Sequence, residues 1–114
     1  MTSINTCTFS GRLGDNPELK YFEAGSCVAE FSLAIDNYNS EKKTKKTMWL
    51  DIKAWAAKAE FVGEHLKKGD KIFVSGFMDY RSWTDENGTK HKKYFIVANQ
   101  IEKAEWDKKE EEVD

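Results

Sequence analysis

No stretch of this sequence is apolar for long enough to cross a membrane, and its opening residues, MTSINTCTFS, lack the basic start and apolar run of a secretory signal. A cytosol-like compartment is the default expectation. Cysteine occurs only twice, as Cys7 and Cys27, each without a second cysteine close by. A metal knuckle is therefore not expected; two reduced structural thiols are, with a bridge between them as the alternative. Histidine is equally sparse. His65 falls in a helix-like stretch and His91 in a lysine-rich one, neither at a short spacing from a nucleophile or a carboxylate pair. With no glycine-rich phosphate loop and no His-Glu-x-x-His, neither an enzyme nor a bound metal or cofactor is expected. The single proline, Pro17, follows Asp15 and Asn16 in a turn that cannot continue a central ladder.

What remains is one domain. A chain of 114 residues buries a modest core but not two independent ones. Its net charge of -2 is unevenly spread: residues 1–101 hold 15 basic and 13 acidic side chains, residues 102–114 hold 3 and 7. The expected division is a mildly basic body over residues 1–103 and a short acidic, disordered tail over residues 104–114. Trp106 in that tail reads as incidental or as a packing residue.

Alternation dominates the body. Residues 4–13 read as a first strand, and Leu19 to Phe22 as a short extended piece. In CVAEFSLAI, Ala29, Phe31, Leu33 and Ile35 alternate with Glu30, Ser32 and Ala34, which describes a second strand with one buried face. Residues 37–47, NYNSEKKTKKT, are almost free of apolar side chains and are expected to form a flexible basic loop. WLDIKAW is a third strand, and AAKAEFVGEHLKKG is helical, with Ala59, Val62 and Leu66 on one side and Gly69 as its stop. Residues 70–77 return to strand, with Ile72 and Val74 facing the core. Asn87 and Gly88 mark a hairpin that makes MDYRSWTDENGTKHKKY a protruding two-stranded arm with Trp83 on its rising limb, and a last strand runs from about Tyr94 to Ile101. Five strands with one helix between the third and fourth describe an all-β fold, the five-stranded Greek-key barrel known as the OB-fold, plugged by that helix.

Period two puts Trp49, Asp51, Lys53 and Trp55 on one face of the third strand and Leu50, Ile52 and Ala54 on the other. Burying Asp51 and Lys53 unpaired is costly, so both tryptophans belong to the wet face. Aromatic platforms beside lysines fit stacking against bases of a nucleic acid; a subunit interface or a fold-stabilising pair is the competing reading. Trp83 is either a further platform or a brace folded back on its own arm. Tyr38 and Phe22 border the groove, or else cap the barrel end. Lys42, Lys43, Lys45 and Lys46 are phosphate contacts, or a solvated loop. Arg12, Lys20, Lys53, Lys67, Lys90, Lys92 and Lys93 are candidates to extend the basic track. Arg81, two residues before Trp83 on the same face, is placed to pair with phosphate or to stack on a base. Phe73, Phe77 and Phe95, if outward, favour assembly of copies.

The sequence also resembles the bacterial-type single-stranded DNA-binding proteins. FSGRLGDNPELKYFEAGSCVAEFSLAI, WLDIKAW and HLKKGDKIFVSGFMDYRSWTDENGTKHKKYFIV carry the resemblance across roughly residues 4–101; Gly-Arg-Leu-Gly-x-x-Pro-Glu-x-x-Tyr, Lys-Lys-Gly and Arg-x-Trp-Thr-Asp-x-x-Gly are specific in combination. The resemblance implies an OB-fold that assembles as a homotetramer and wraps single strands without sequence preference. Its stacking aromatics match Trp49, Trp55 and Trp83, with a further one near Tyr38. It implies roles in DNA replication, recombination and repair; a primosomal or RNA-binding OB-fold module, or an interaction protein that binds no nucleic acid, are the alternatives. Two departures stand out. Many members have Gly-Lys where this chain has Ala56 and Ala57. Long members also continue through a Gly/Gln/Pro-rich linker to an acidic Pro-Phe tip that recruits replication and repair enzymes, whereas this sequence reads WDKKEEEVD, so that recruitment is not carried over.

Overall fold

The computed structural model describes residues 3–104. The expected tail and Trp106 lie outside the described residues, apart from Ala104. Strands β1 (Cys7–Leu13), β2 (Glu18–Tyr21), β3 (Cys27–Asn39) and β4 (Thr44–Trp55) precede helix α1 (Ala57–His65), and β5 (Lys71–Thr84) and β6 (Lys90–Lys103) follow it. Hydrogen-bonded neighbours run β1-β5-β6-β4-β3-β2, and β1 also meets β3 at Arg12↔Ala34 and Leu13↔Leu33. That second pairing closes β1, β3, β4, β5 and β6 into the expected five-stranded barrel. The short piece before Phe22 is β2, laid along the outer edge of β3. The β4–β6 seam is parallel and brief, at Ile52↔Ile96 and Lys53↔Val97.

The closed barrel excludes water from one side chain in two along each strand. Leu33, Ile52, Ile72, Val74 and Ile96 are fully buried there. Truncating such a residue to alanine costs about 2–5 kcal/mol, because the deleted methyl and methylene groups leave a cavity the barrel cannot collapse. Helix α1 supplies Ala59 and Val62, and Leu66 just beyond it, as the plug at one end. The opposite faces of the strands stay largely wet, although Val28, beside Trp55 on that face, is buried.

One element departs from the sequence expectation. Residues 37–47 are not a flexible loop: β3 and β4 continue as a ribbon through Asn37↔Lys46, Tyr38↔Lys45 and Asn39↔Thr44. Only the tip turns, where the Asn39 side-chain oxygen accepts the amides of Glu41 and Lys42, 3.0 and 3.1 Å away. The ribbon stands outside the core, so no apolar alternation marks it; main-chain pairing propagated from the barrel builds it. The second arm is the two-stranded hairpin expected around Asn87 and Gly88, and its strands are continuous with the barrel, β5 running on to Thr84 and β6 beginning at Lys90. Its turn is set by Gly88 at φ 82 and by Asp85, whose carboxylate accepts the Asn87 and Thr89 amides.

The Ala56-Ala57 departure has a backbone consequence. Ala56 joins β4 to α1 at φ 54, ψ -124, a conformation that L side chains avoid and glycine tolerates. It is held there from both sides: its amide donates to the Cys27 carbonyl at 2.9 Å, and its carbonyl accepts the first helical bond from Glu60 at 3.1 Å. The Ala56→Gly protein is expected to be more stable by about 1 kcal/mol through relief of this strain. Chemical denaturation at unchanged m-value checks it; a midpoint equal to or below the parent's contradicts it.

Candidate nucleic-acid interface

The wet face of the β3–β4 sheet is built by an unbroken ladder. Its rows are Val28↔Trp55, Glu30↔Lys53, Ser32↔Asp51, Ala34↔Trp49, Asp36↔Thr47 and Tyr38↔Lys45. Partners directly opposite share a face, so Tyr38, Lys45, Trp49, Lys53 and Trp55 line one surface. Trp49 and Trp55 are 61 % and 45 % exposed, while Ile52 between them is 1 % exposed on the other side. Trp55 is six positions along the strand from Trp49, about 20 Å at ~3.4 Å per residue. Trp49 lies over Gly14, where a Cβ would run into its ring. Gly14 therefore lets the indole lie close against the barrel. Phe22, just past β2, stacks on Trp55 with centroids 6.0 Å apart and planes at 19°.

The β5–β6 arm forms the facing wall. Arg81, Trp83, His91, Lys93 and Phe95 share its near side, since Arg81↔Lys93 and Trp83↔His91 are cross-strand partners. Lys93 reaches across to Asp51 at 3.1 Å, and Lys53 lies 4.2 Å from the Phe95 ring centre. Between floor and wall runs an open groove of about 520 Å³, with Lys20, Lys53, Arg81 and Lys93 along it. Trp83 is engaged within its own arm: the Arg81 guanidinium sits 4.6 Å above its ring, and His91 stacks on it at 5.3 Å and 20°. Asp85 holds His91 by a 2.7 Å hydrogen bond. That bond, followed by those from the turn amides, keeps the Asp85 carboxyl below the usual range. The brace reading of Trp83 thus has direct contacts behind it, though the indole remains 41 % exposed.

The remaining sequence candidates are scattered. Lys46 shares the Asn37 row on the reverse of its ribbon, and Lys42 and Lys43 sit at the tip. Lys90 pairs with Thr84 on the reverse of the second arm. Arg12 shares a row with Ala34 and Trp49, but its guanidinium donates to the Gly69 carbonyl at 3.0 Å and ties β1 to the segment between α1 and β5. Among the three phenylalanines expected on the outside, Phe73 is exposed and Phe77 and Phe95 are half-buried.

Acidic partners inside the groove are what the sequence reading missed. Glu30 takes Lys20 at 2.9 Å and Lys53 at 3.7 Å, one on each side of its strand. The Lys20 hydrogen bond foremost, and then both lysine charges, lower the Glu30 carboxyl against the opposing effect of burial; the same contact raises Lys20. Nothing in the local sequence marks this trio. It follows from the register of three strands, Glu18↔Glu30 and Lys20↔Val28 on one side and Glu30↔Lys53 on the other.

An open aromatic-basic groove on a plugged five-stranded barrel defines an OB-fold of the nucleic-acid-binding kind. The comparisons agree. Residues 4–104 match the model of the Single-strand binding protein family. Single-stranded DNA-binding protein 1 of Synechocystis sp. is 38% identical over 101 residues, covering 88% of this chain and 83% of the relative. Single-stranded DNA-binding protein 2 of Nostoc sp. is 37% identical over 113 residues, covering 97% and 86%. The single-stranded DNA-binding protein of Borreliella burgdorferi is 35% identical over 109 residues, covering 90% and 70%. This chain belongs to the single-strand binding protein family.

Glu30, paired with both Lys20 and Lys53, lowers the positive charge that the groove offers to an anionic ligand. Glu30→Gln removes the carboxylate that Lys20 and Lys53 share, so oligo-dT is expected to bind more tightly at low salt. Log affinity should fall more steeply with log salt, by up to about 0.7 per added phosphate contact. The linked pH effect has a definite sign. Glu30 contributes stability above its unfolded-state pKa, and that contribution is lost as pH falls through its lowered folded value. Acid titrations of the parent and Glu30→Gln proteins should therefore differ in the acid range and converge in shape near neutrality. Identical salt slopes would show that Glu30 does not restrain the two lysines.

Proposed function

We propose that the protein binds single-stranded DNA without regard to sequence and protects it during replication, recombination and repair. The observation that supports this most directly is the exposure of Trp49 and Trp55 on one sheet face with Lys45 and Lys53 between and beside them. A π-face accepts any base, whereas reading a sequence requires hydrogen bonds to base edges. Lys20, Lys45, Lys53, Arg81 and Lys93 supply phosphate contacts from the floor and wall of the groove. Phe22 buttresses Trp55, and Tyr38 and Trp83 extend the track toward the two arms. Lys42, Lys43, Lys46, Lys90 and Arg12 contribute only at the periphery. Among the described residues no helix is long and apolar enough to cross a membrane. A cytoplasmic setting is part of this proposal.

The assembly proposed is a homotetramer. Phe73, 51 % exposed on the outside of β5, is a large apolar side chain that a monomer gains nothing by showing to water. Association of copies would cover it. Light scattering at micromolar concentration should return four times the 13.2 kDa chain mass; a monomer refutes the assembly, and a stable dimer favours a primosomal module.

Stacking and phosphate contact separate experimentally. Trp55→Ala removes one platform and is expected to weaken oligo-dT binding by about 1–3 kcal/mol with little change in salt slope, because an indole releases no condensed counterion. Neutralising Lys45 and Lys53 together should flatten that slope, by about 0.7 for each phosphate no longer met by a lysine. Competition with oligo-U of equal length tests for a dedicated RNA binder, which would prefer the strand bearing 2′-hydroxyls. A folded Trp55→Ala protein that binds oligo-dT as tightly as the parent removes the functional meaning of the exposed face.

A further inference from the structure

The β5–β6 arm has two faces, and the groove uses one. Beyond Met78 and Phe95 neither strand has a further strand partner among the described residues, so from Asp79 to Thr84 and from Lys90 to Tyr94 the ribbon stands free. Asn5 marks where it leaves the barrel, its side-chain amide donating to the Met78 carbonyl at 2.8 Å and its oxygen accepting the Met78 amide at 3.0 Å. Period two then places Tyr80, Lys92 and Tyr94 on the reverse of Arg81, Trp83 and Lys93. Tyr80 and Tyr94 are 50 % and 55 % exposed, with centroids 5.7 Å apart. Lys92 lies 4.7 Å from the Tyr80 ring centre. Lys90 shares this face, and no carboxylate does: Asp79 is on the groove side, and Asp85 and Glu86 belong to the turn.

We infer that this reverse face is a second single-strand track, which a strand reaches by passing from the groove around the free ribbon. The inference rests on the single-strand reading of the groove and extends it. Two half-exposed tyrosines beside two lysines repeat, at a smaller scale, the aromatic-plus-cation arrangement of the groove. The absence of acidic side chains makes the face complementary to phosphate. The ribbon is two strands wide, with about 4.8 Å between strands, so it presents a narrow edge for a flexible strand to cross.

The test compares two lengths of oligo-dT, one of about 8 nucleotides, within what a single OB-fold covers, and one about four times longer. Tryptophan fluorescence reports both, because the Tyr80→Ala/Tyr94→Ala protein keeps all four tryptophans. The short oligonucleotide should bind parent and double variant alike. The long one should bind the variant about tenfold more weakly, with fewer nucleotides per chain at saturation. Tyr80→Phe/Tyr94→Phe should restore the parent's behaviour, since the rings and not the hydroxyls do the stacking. Lys92→Gln, a surface change that leaves both rings in place, should flatten the salt dependence for the long oligonucleotide alone. Unchanged affinity and saturation with the long oligonucleotide overturn the second track. A changed oligomeric state in the double variant also overturns it, by assigning the face to contacts between copies. Failure of the parent to bind the short oligonucleotide would instead reject the underlying reading of the groove.

Discussion

Register along the β3–β4 ladder is the constraint on which the site depends. Leu33 and Ile52 are driven into the barrel by the water they escape, and each pins the face of every residue two places away. A slip of one residue would turn Asp51, Lys53 and both indoles inward and leave Leu33 or Ile52 in water. Burial of two unpaired charges makes that state far costlier than the native one. The exposure of Trp49 and Trp55 is thus enforced by the core beneath them, and neither side chain needs a stabilising contact of its own to stay outside.

The same ladder carries the surface beyond the core. Past Ile35 and Met48 no barrel interior remains to fill, yet pairing continues to Asn39↔Thr44. The β5–β6 pairing likewise extends to Thr84↔Lys90. Two ribbons therefore project from one small barrel and enlarge the surface open to a polymer without enlarging the core. Main-chain hydrogen bonds and short turns hold them, with Asn39 and Asp85 each accepting two turn amides. A long flexible ligand suits such a shape, because its contacts can be spread over many weak platforms and no enclosed pocket is required.

Electrostatics in the groove is moderated by neighbouring carboxylates. Glu30 answers Lys20 and Lys53, and Asp51 answers Lys93. These pairs hold flexible side chains along the groove and lower its net charge. Surface pairs of this kind add little to stability, so phosphate can exchange for carboxylate at small cost.

The sequence by itself determined whatever period two and hydrophobicity encode. The alternation from Trp49 to Trp55, the buried face of residues 29–35, the plug at Ala59, Val62 and Leu66, and the Asn87-Gly88 turn are all local patterns, and all stand in the structure. Only the tertiary structure decided what depends on distant strands or on a backbone without a core beneath it. The ribbon at residues 37–47 was invisible because exposed strands carry no apolar period. Glu30 between Lys20 and Lys53, Lys93 on Asp51, and His91 stacked on Trp83 arise from cross-strand register. The strain at Ala56 arises where a strand must turn into the plugging helix, and its identity as alanine gives no sign of the φ it must adopt. Side chains far apart in sequence meet only when the barrel closes, because one strand's register sets the next and no single segment contains that information.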